Sequence, residues 1–295
     1  MPKSPTVHLI DALPYVFRAW FSVPSSLTAP DGRPVNAVHG FASFLLRYLA
    51  EEQPSHLAVC FDRSLTTSFR NELYPAYKSS RDLPDDDLAA QLEDCEELAG
   101  ALGAAVFADQ RYEADDLIAT LVARLGTQAG GFVVVTSDKD LAQLVDSRTV
   151  LHDFAKGTRY GPSEVEQKFG VRPEQIADFL GLAGDAVDDI PGVPGVGAKT
   201  AVALLARFEG LDELFAELDA VAELSVRGAS KLAARLEQHR ELAFLSRELA
   251  TVARDAPATA DLPELRLAGP DSARVEALCE RLGFTRLRER LLGGR

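Results

Sequence analysis

Nine acidic residues at punctuated positions of this sequence are the side chains best suited to chemistry. They are Asp11, Asp62, Glu113, Asp115, Asp116, Asp138, Asp140, Asp185 and Asp188. Carboxylates without histidine or cysteine partners suit hard cations such as Mg²⁺ or Mn²⁺. So many of them close together without a metal would repel one another strongly. Two divalent ions about 3.5–4 Å apart are a known device for hydrolysing phosphodiesters. The set therefore predicts a two-metal site.

Each acid taken singly has a simpler explanation. Asp11 and Asp62 could cap helices, and Asp115, Asp116 and Asp140 could favour helix dipoles. That explanation competes well for any single residue and is weak for the whole set.

The elements that must position these acids alternate in the first half of the chain. Apolar runs at residues 7–10, 57–61 and 132–136 each lead into an aspartate, and helix-like segments lie at residues 37–50, 88–102 and 114–125. This alternation predicts an α/β fold with a mostly parallel central sheet flanked by helices. In such folds ligands bind beyond the carboxyl ends of the strands.

The second half, from about residue 163, reads as nearly all helix. Helical periodicity covers residues 198–208, 211–218 and 229–252, a strand is suggested only at residues 265–267, and one or two helices are expected at residues 270–292. We expect two domains, residues 1–170 and 171–295.

The composition limits the kinds of partner that the chain can bind. The net charge is 31 − 45 = −14, which taken alone argues against nucleic acid. Carboxylates held in a metal site, or basic residues along one track, would override that argument. The three cysteines lie far apart without a CxxC motif, which excludes a disulfide framework or a thiolate zinc site and favours a reducing cytoplasm. No apolar run approaches the roughly 20 residues of a membrane span.

Segment 66–87 follows a predicted strand end, where a functional loop would lie. On its own it is best explained as a solvated connector with chance aromatics. It carries basic residues with aromatic residues between them: Phe69, Arg70, Tyr74, Tyr77, Lys78 and Arg81.

Residues 192–200 are rich in glycine and only superficially similar to a phosphate-binding P-loop. Ala198 intrudes between Gly197 and Lys199, and no hydrophobic strand precedes the segment. A tight hairpin between two helices fits better, because its glycines let backbone amides approach a phosphate and the next helix presents its N-terminus. A purely structural turn is the weaker alternative.

Together these motifs resemble the 5′-3′ exonuclease (flap endonuclease) family, which includes the 5′-nuclease domain of bacterial family A DNA polymerases. The similarity covers nearly the whole chain. It rests on Leu9-Ile10-Asp11, Phe61-Asp62, Tyr77-Lys78, Tyr112-Glu113-Ala114-Asp115-Asp116, Thr136-Ser137-Asp138-Lys139-Asp140, and residues 184–197 with Gly184-Asp185 and Asp188-Asp189-Ile190-Pro191-Gly192.

The resemblance implies a PIN-like or resolvase-like catalytic domain with a helical arch at about residues 66–102. It also implies a C-terminal all-helical domain with a helix-3-turn-helix element at about residues 181–208. All nine acids would be metal ligands for two Mg²⁺ (or Mn²⁺). Lys78 and Arg81 would be catalytic, and Tyr77 and the weaker candidate Arg70 would join them in base stacking and phosphate steering. Duplex phosphates and a K⁺ would be held at Gly192, Val193, Gly195, Gly197 and Lys199.

Three positions depart from the usual family pattern without removing a metal ligand. Ala12 stands where glycine is common, His39 where tyrosine is common, and Asp189 where asparagine is common. Asp189 adds a negative charge next to Asp188. The starting Met1 and the end of the chain at residues 291–295, where no polymerase segment follows, favour a stand-alone nuclease, with an excised domain as the alternative.

The expected function is metal-dependent 5′-3′ exonuclease and 5′-flap endonuclease activity on DNA with flaps, nicks or free 5′ ends in replication and repair. RNA–DNA hybrids are a second substrate class. We expect a cytoplasmic, nucleoid-associated monomer, with a separate DNA polymerase as a conceivable partner and no membrane. Two alternatives stay open: a branched-DNA-binding protein with weak or absent catalysis, and a generic small ribonuclease, against which the hairpin and the basic segment argue.

Overall fold

A six-stranded sheet organises the first half of the computed structural model, which describes residues 4–63, 66–81, 86–224 and 229–293. The strand order is β3-β2-β1-β4-β5-β6, and only β6 runs antiparallel to its neighbour. The strands are β1 (Thr6–Asp11), β2 (His56–Asp62), β3 (Ala105–Asp109), β4 (Gly131–Val135), β5 (Thr149–Asp153) and β6 (Thr158–Tyr160). The central strands are buried on both faces, as their continuous apolar sequences require.

Helices cover both faces of the sheet and make up most of the second half. Those before β5 are α1 (Leu13–Ser22), α2 (Asn36–Glu52), α3 (Phe69–Leu73), α4 (Asp86–Ala101) and α5 (Ala114–Leu125). Those after β6 are α6 (Pro162–Phe169), α7 (Ile176–Ala183), α8 (Ala198–Leu205), α9 (Leu211–Ala216), α10 (Ala229–Gln238), α11 (Arg240–Ala250), α12 (Ser272–Leu282) and α13 (Thr285–Leu291). The predicted fold class, a mostly parallel sheet with helices and a second helical region, is confirmed.

The position of β1 determines where the site lies. β1 pairs with β2 on one side and β4 on the other, so the order of the strands reverses at β1. The carboxyl ends of these strands therefore open the crevice in which α/β folds bind ligands. In register, Asp11 lies opposite Cys60 of β2, and Ile10 lies opposite Val135 of β4.

The C-terminal helices do not lie where we expected. Leu278 and Leu282 of α12 and Leu287 of α13 are buried in the same core as α2 and α4, on one face of the sheet. α12 packs against α4, and α13 packs against α2. The expectation that the helical domain extends through residue 295 is thus wrong for these two helices.

The predicted arch, residues 66–102, is also wrong for its second half. Leu88, Cys95 and Leu98 of α4 are buried against the core that contains α2 and α12. α4 is therefore a covering helix of the sheet, because its apolar side is too long to leave in water. Residues 66–81 adjoin the acidic site, where Lys78 and Arg81 contact Glu113 and Asp188, and residues 82–85 of the predicted arch are outside the described residues.

Several elements were not predicted. β3, β5, β6 and α1 have no counterpart among the predicted segments, and the helix expected at residues 229–252 is divided at His239 into α10 and α11. The strand suggested at residues 265–267 is a single bridge between His56 and Arg266. No helix within the described ranges is long and apolar enough to cross a lipid bilayer.

Candidate metal centre and nucleic-acid interface

Four aspartates lie near one another at the carboxyl ends of β1, β2 and β4, and we call them the edge group: Asp11, Asp62, Asp115 and Asp138. Asp11 and Asp62 end their strands, Asp138 follows β4, and Asp115 lies in the first turn of α5. Burial, followed by the charges of Asp62 and Asp138, raises the pKa of Asp11 well above its usual value. Burial and neighbouring carboxylates likewise raise the pKa of Asp115, and that of Asp62 to about 6. The edge group is thus a set of mutually repelling carboxyls.

Hydrogen bonds fix the orientation of the edge group. The Thr136 hydroxyl donates to Asp11 Oδ2 over 2.7 Å, and the same Oγ1 accepts from the Asp138 amide at 2.9 Å. The Ala114 amide, at the start of α5, donates to Asp62. Asp11 and Asp62 are therefore each held by a hydrogen bond from a neighbouring element of the chain.

Three of the other five acids form a loop group beside the edge group: Asp140, Asp185 and Asp188. Together with Asp138 and Val187 they line a cavity of about 250 Å³. Asp140 Oδ1 is buried and has no hydrogen-bond partner among the described residues. Burial, followed by the charges of Asp138 and Asp188, raises the pKa of Asp140. Asp185 is paired with Lys139 at 2.7 Å.

Two basic side chains stand between these acids. Lys78, with a φ of 53°, donates its Nζ to Glu113 Oε2 over 2.9 Å and lies 3.8 Å from Asp188 Oδ2. Its amide donates to the Asp188 carbonyl at 3.0 Å. Burial alone would lower the pKa of Lys78, but Glu113 and Asp188 outweigh it and raise the pKa. Arg81 is half-buried and ion-paired with Asp188. Lys78 and Arg81 thus lie beside the carboxylates.

The donor set fits hard divalent cations. Within the described ranges no three histidine, cysteine, aspartate or glutamate side chains already converge as a ligand set. The chemistry of the set nevertheless matches such ions, because the edge and loop groups offer carboxylate oxygens alone. The unsatisfied oxygen of Asp140 and the raised pKa values of the edge group are what a bound divalent charge would relieve.

The structure corrects the roles predicted for Asp116 and Arg70. Asp116 is fully buried, and both of its oxygens are bound at 2.8 Å by the Arg70 guanidinium. Arg70 is 2% exposed and its guanidinium is bonded within the protein, so it is not placed to steer a DNA phosphate. Asp116 has no free oxygen to offer a metal, since it also accepts from the Glu113 and Ala253 amides. The pair is a structural ion pair.

Tyr77 does not provide the predicted stacking surface. Its ring is 3% exposed, within the core below the site, and its hydroxyl donates to Glu113 Oε2 at 3.1 Å. The ring also lies 5.0 Å from Lys78 Nζ. Tyr77 therefore supports Lys78 and Glu113 from below.

The glycine-rich hairpin joins α7 to α8 as predicted, but its residues divide into two kinds. Val193 is buried and its amide donates to the Leu182 carbonyl, while the Gly192 amide donates to Ser246 Oγ at 3.0 Å. Both amides are taken, so the predicted DNA contacts of Gly192 and Val193 are wrong. Gly195 has a φ of 77° and lies on the surface.

The surface of the hairpin suits an anion. Gly197 is the residue before α8, Lys199 lies in its first turn, and both are exposed. The first amides of a helix have no partners within it and attract phosphate.

The three departures lie in different places. Asp189 has a φ of 55° and its Oδ2 accepts from the Ser80 amide at 2.8 Å, so it holds the turn that carries Lys78. Ala12 is fully buried, and His39 packs edge-on to Phe284 with ring centroids 5.4 Å apart.

Sequence reasoning missed three contributors: Thr136 as the partner of Asp11, Ser246 as the partner of the hairpin, and Gln143, described below. Only the role of Thr136 could be predicted from the sequence, because Thr136 lies two residues before Asp138, which is the spacing of a Ser/Thr turn. The other two lie far along the chain from their partners.

Two family models together match residues 6–273 of the chain. The family model described as "5′-3′ exonuclease, N-terminal resolvase-like domain" matches residues 6–170, and "5′-3′ exonuclease, C-terminal SAM fold" matches residues 171–273. A fold of this kind with this site defines a nuclease. The chain belongs to the 5′-3′ exonuclease family.

Similar proteins include longer chains and a solved complex. DNA polymerase I of Pseudomonas aeruginosa is 42% identical over 285 residues, which are 96% of this chain and 31% of that protein. DNA polymerase I of Bacillus caldotenax is 39% identical over 287 residues, 96% of this chain and 32% of that protein. The chain thus spans about a third of the length of the curated relatives it matches. The flap endonuclease of bacteriophage T5, solved with DNA and metal ions, shares the fold with a TM-score of 0.68, 20% identity and coverage of 98% and 97% of the two chains.

Proposed function

We propose that this chain is a divalent-metal-dependent 5′-3′ exonuclease and 5′-flap endonuclease that hydrolyses DNA phosphodiesters at flaps, nicks and free 5′ ends. The observation that carries the proposal is the pair of adjoining carboxylate groups at the switch point of the sheet, with Lys78 between them. Neither a simple binding module nor a structural domain needs so many buried, repelling acids next to a basic side chain.

The edge group would hold one divalent ion and the loop group, with Asp138, the second. Bound there, such ions activate the attacking water and stabilise the leaving oxygen of a phosphodiester. Glu113 is engaged by Lys78, and Asp116 is excluded by its pairing with Arg70.

The chain's own cations would orient the scissile phosphate. Lys78 and Arg81 now neutralise Glu113 and Asp188, and a phosphate entering between the two acidic groups would offer them a second anionic partner. A preorganised cation at that point stabilises charge that develops during hydrolysis. The exposed glycines and Lys199 of the hairpin would bind duplex phosphates, with a K⁺ at the hairpin carbonyls.

We also propose a second substrate class, an oligomeric state, a location and a partner. RNA–DNA hybrids, a monomeric state, a cytoplasmic, nucleoid-associated location and cooperation with a DNA polymerase are proposed on the family membership and on the name of the relatives, DNA polymerase I.

Cleavage of a double-labelled 5′-flap duplex by the purified chain tests the proposal, with Mg²⁺, Mn²⁺ or EDTA present. We expect a cut near the flap junction that EDTA abolishes. Binding of the flap without a cut in either metal would instead support the branched-DNA-binding function.

A further inference from the structure

The last two residues of α11 and the three that follow it, residues 249–253, are bonded to residues of the catalytic region, and we call them the α11 terminus. Arg70 donates through Nε to the Leu249 carbonyl at 2.7 Å and through Nη2 to the Thr251 carbonyl at 3.0 Å. The Ala253 amide donates to Asp116 Oδ1 at 2.7 Å. These bonds join segments that lie more than 100 residues apart in the chain.

The same bonds continue to the start of α5. Arg70 grips Asp116 with two bonds of 2.8 Å, and Asp116 Oδ2 accepts from the Glu113 amide at 3.0 Å. Arg70 Nη1 also lies 3.5 Å from Glu113 Oε2, which binds Lys78. The α11 terminus is therefore bonded, through Arg70 and Asp116, to the start of α5, where Glu113 and Asp115 lie. Glu113 is in turn the residue that Lys78 contacts.

A second connection runs to the loop group. Gln143 donates Nε2 to the Ala250 carbonyl at 3.0 Å and to the Asp140 carbonyl at 2.8 Å. Its Oε1 accepts from the Val252 amide at 3.1 Å. The α11 terminus is thus tied to both groups of carboxylates.

The body of α11 reaches the hairpin. Ser246 lies one turn before the α11 terminus and is fully buried, and its Oγ accepts from the Gly192 amide at 3.0 Å. α11 also packs along α7, the helix that leads into the hairpin. One helix thus contacts the buried side of the hairpin, whose exposed side is proposed to bind duplex DNA, and also the residues that position the site.

We propose that α11 is a coupling helix through which a duplex bound at the hairpin sets the position of the catalytic carboxylates, with Arg70, Asp116 and Gln143 as positioning residues. The inference rests on the proposed function and deepens it. A buried ion pair contributes little net stability compared with apolar residues of the same volume. The Arg70–Asp116 pair is therefore better explained by the fixed geometry that its forked bonds impose.

The matched test uses Arg70→Lys, which keeps the charge opposite Asp116 but loses the planar fork. Single-turnover cleavage of the flap duplex in Mg²⁺ and its Kd in EDTA are measured on the full chain. We expect Arg70→Lys to lower the rate about 30-fold or more while Kd changes less than about threefold, because position and not affinity is lost. Asp94→Asn is the control. Asp94 lies on the covering helix α4, where it is buried and paired with Arg33 and Arg281.

A double-mutant cycle tests the path. If Ser246→Ala and Arg70→Lys act along one connection, the double variant is about as slow as Arg70→Lys alone. Rate effects that multiply, or an Arg70→Lys rate equal to that of Asp94→Asn, overturn the proposal. Should circular dichroism show that Arg70→Lys does not fold, Gln143→Ala takes its place in the same cycle with the same criteria.

A measurement without catalysis separates this inference from the proposed function. Blunt duplex DNA added in EDTA should slow amide hydrogen exchange at residues 113–117 in the wild type and leave it unchanged in Arg70→Lys. Equal slowing in both proteins contradicts the coupling. Wild-type chain that cuts no flap in Mg²⁺ would refute the nuclease proposal, while the exchange experiment would still decide the coupling.

Discussion

At the scale of single residues, position in the sequence predicted the acids well and their partners poorly. Asp11, Asp62 and Asp138 were found from three apolar runs that end at an aspartate, and they lie at neighbouring strand ends. Asp116 follows Asp115 directly, yet it pairs with Arg70, which lies 46 residues away in the chain. A helix turns about 100° per residue, so one of two adjacent acids faces the site and the other faces the core. The tertiary fold alone decides which.

Lys78 carries the first prediction at this scale. Lys78→Met removes the cation between Glu113 and Asp188 and keeps most of the side-chain volume. We expect single-turnover cleavage to fall by about 10²–10³-fold, as for other preorganised charges at a reacting centre. Kd for the flap duplex should change little, because duplex binding is assigned to the hairpin. A rate within threefold of the wild type would remove Lys78 from the catalytic machinery.

His8 carries the second prediction, which concerns the stability of the fold against unfolding. Burial, the largest influence, lowers the pKa of His8 to about 4, and its ring contacts the Tyr48 hydroxyl at 2.5 Å, with Glu52, Arg159 and His152 nearby. The unfolded chain binds this proton below pH about 6.5. Stability present above that pH is therefore lost as the pH falls toward 4, by up to about 3 kcal/mol.

Urea unfolding between pH 7 and 4 checks this expectation. His8→Gln should flatten the decline in the free energy of unfolding over that window. An unchanged slope in the variant would show that other groups cause the decline.

At the scale of elements, the hairpin shows what a pattern can and cannot reveal. Its glycines predicted a turn between two helices, which the structure confirms. The sequence did not show which glycines are buried, because that depends on Ser246 of α11 and on Gly184. The predicted arch was too long for a similar reason. The apolar side of α4 packs against α12, which lies nearly 200 residues later in the chain.

Two glycine substitutions test the hairpin. Gly192 has a φ of 60°, and a Cβ there would lie 2.3 Å from the Gly184 nitrogen. Gly192→Ala should lower the free energy of unfolding by at least about 2 kcal/mol, because backbone strain and overlap add. Gly197→Ala is the control, since a Cβ there meets nothing within 4 Å. Thermal unfolding measures both, and equal loss in the two variants would contradict the assigned geometry.

At the scale of the whole molecule, α12 and α13 bind the end of the chain to the first domain. Leu278 is 1% exposed in the core shared with α2 and α4. Leu278→Ala should cost about 2–5 kcal/mol, as other buried Leu→Ala changes do. The loss should appear as a lower free energy of unfolding of the catalytic region, which is measured by hydrogen exchange of the β1 amides. Unaffected β1 amides would mean that α12 belongs to a separate unit.

Net charge also acts on the whole molecule. At −14 the chain as a whole repels DNA, so binding has to rest on local contacts such as those proposed for Lys199 and the hairpin. Flap affinity should therefore fall steeply with salt, in proportion to the phosphates bound. A Kd measured in EDTA between 50 and 200 mM KCl checks this, and a flat dependence would exclude phosphate contacts as the source of affinity.

The central claim is that the edge and loop groups hold divalent ions for DNA cleavage, and Asp138, which borders both, tests it most directly. Wild type, Asp138→Asn and the control Asp94→Asn are compared on the double-labelled 5′-flap duplex in Mg²⁺, with Mn²⁺ binding followed by calorimetry. We predict that Asp138→Asn loses cleavage and at least one bound Mn²⁺ while flap binding and folding persist, and that Asp94→Asn keeps both. Cleavage by Asp138→Asn at the wild-type rate would contradict the assigned site.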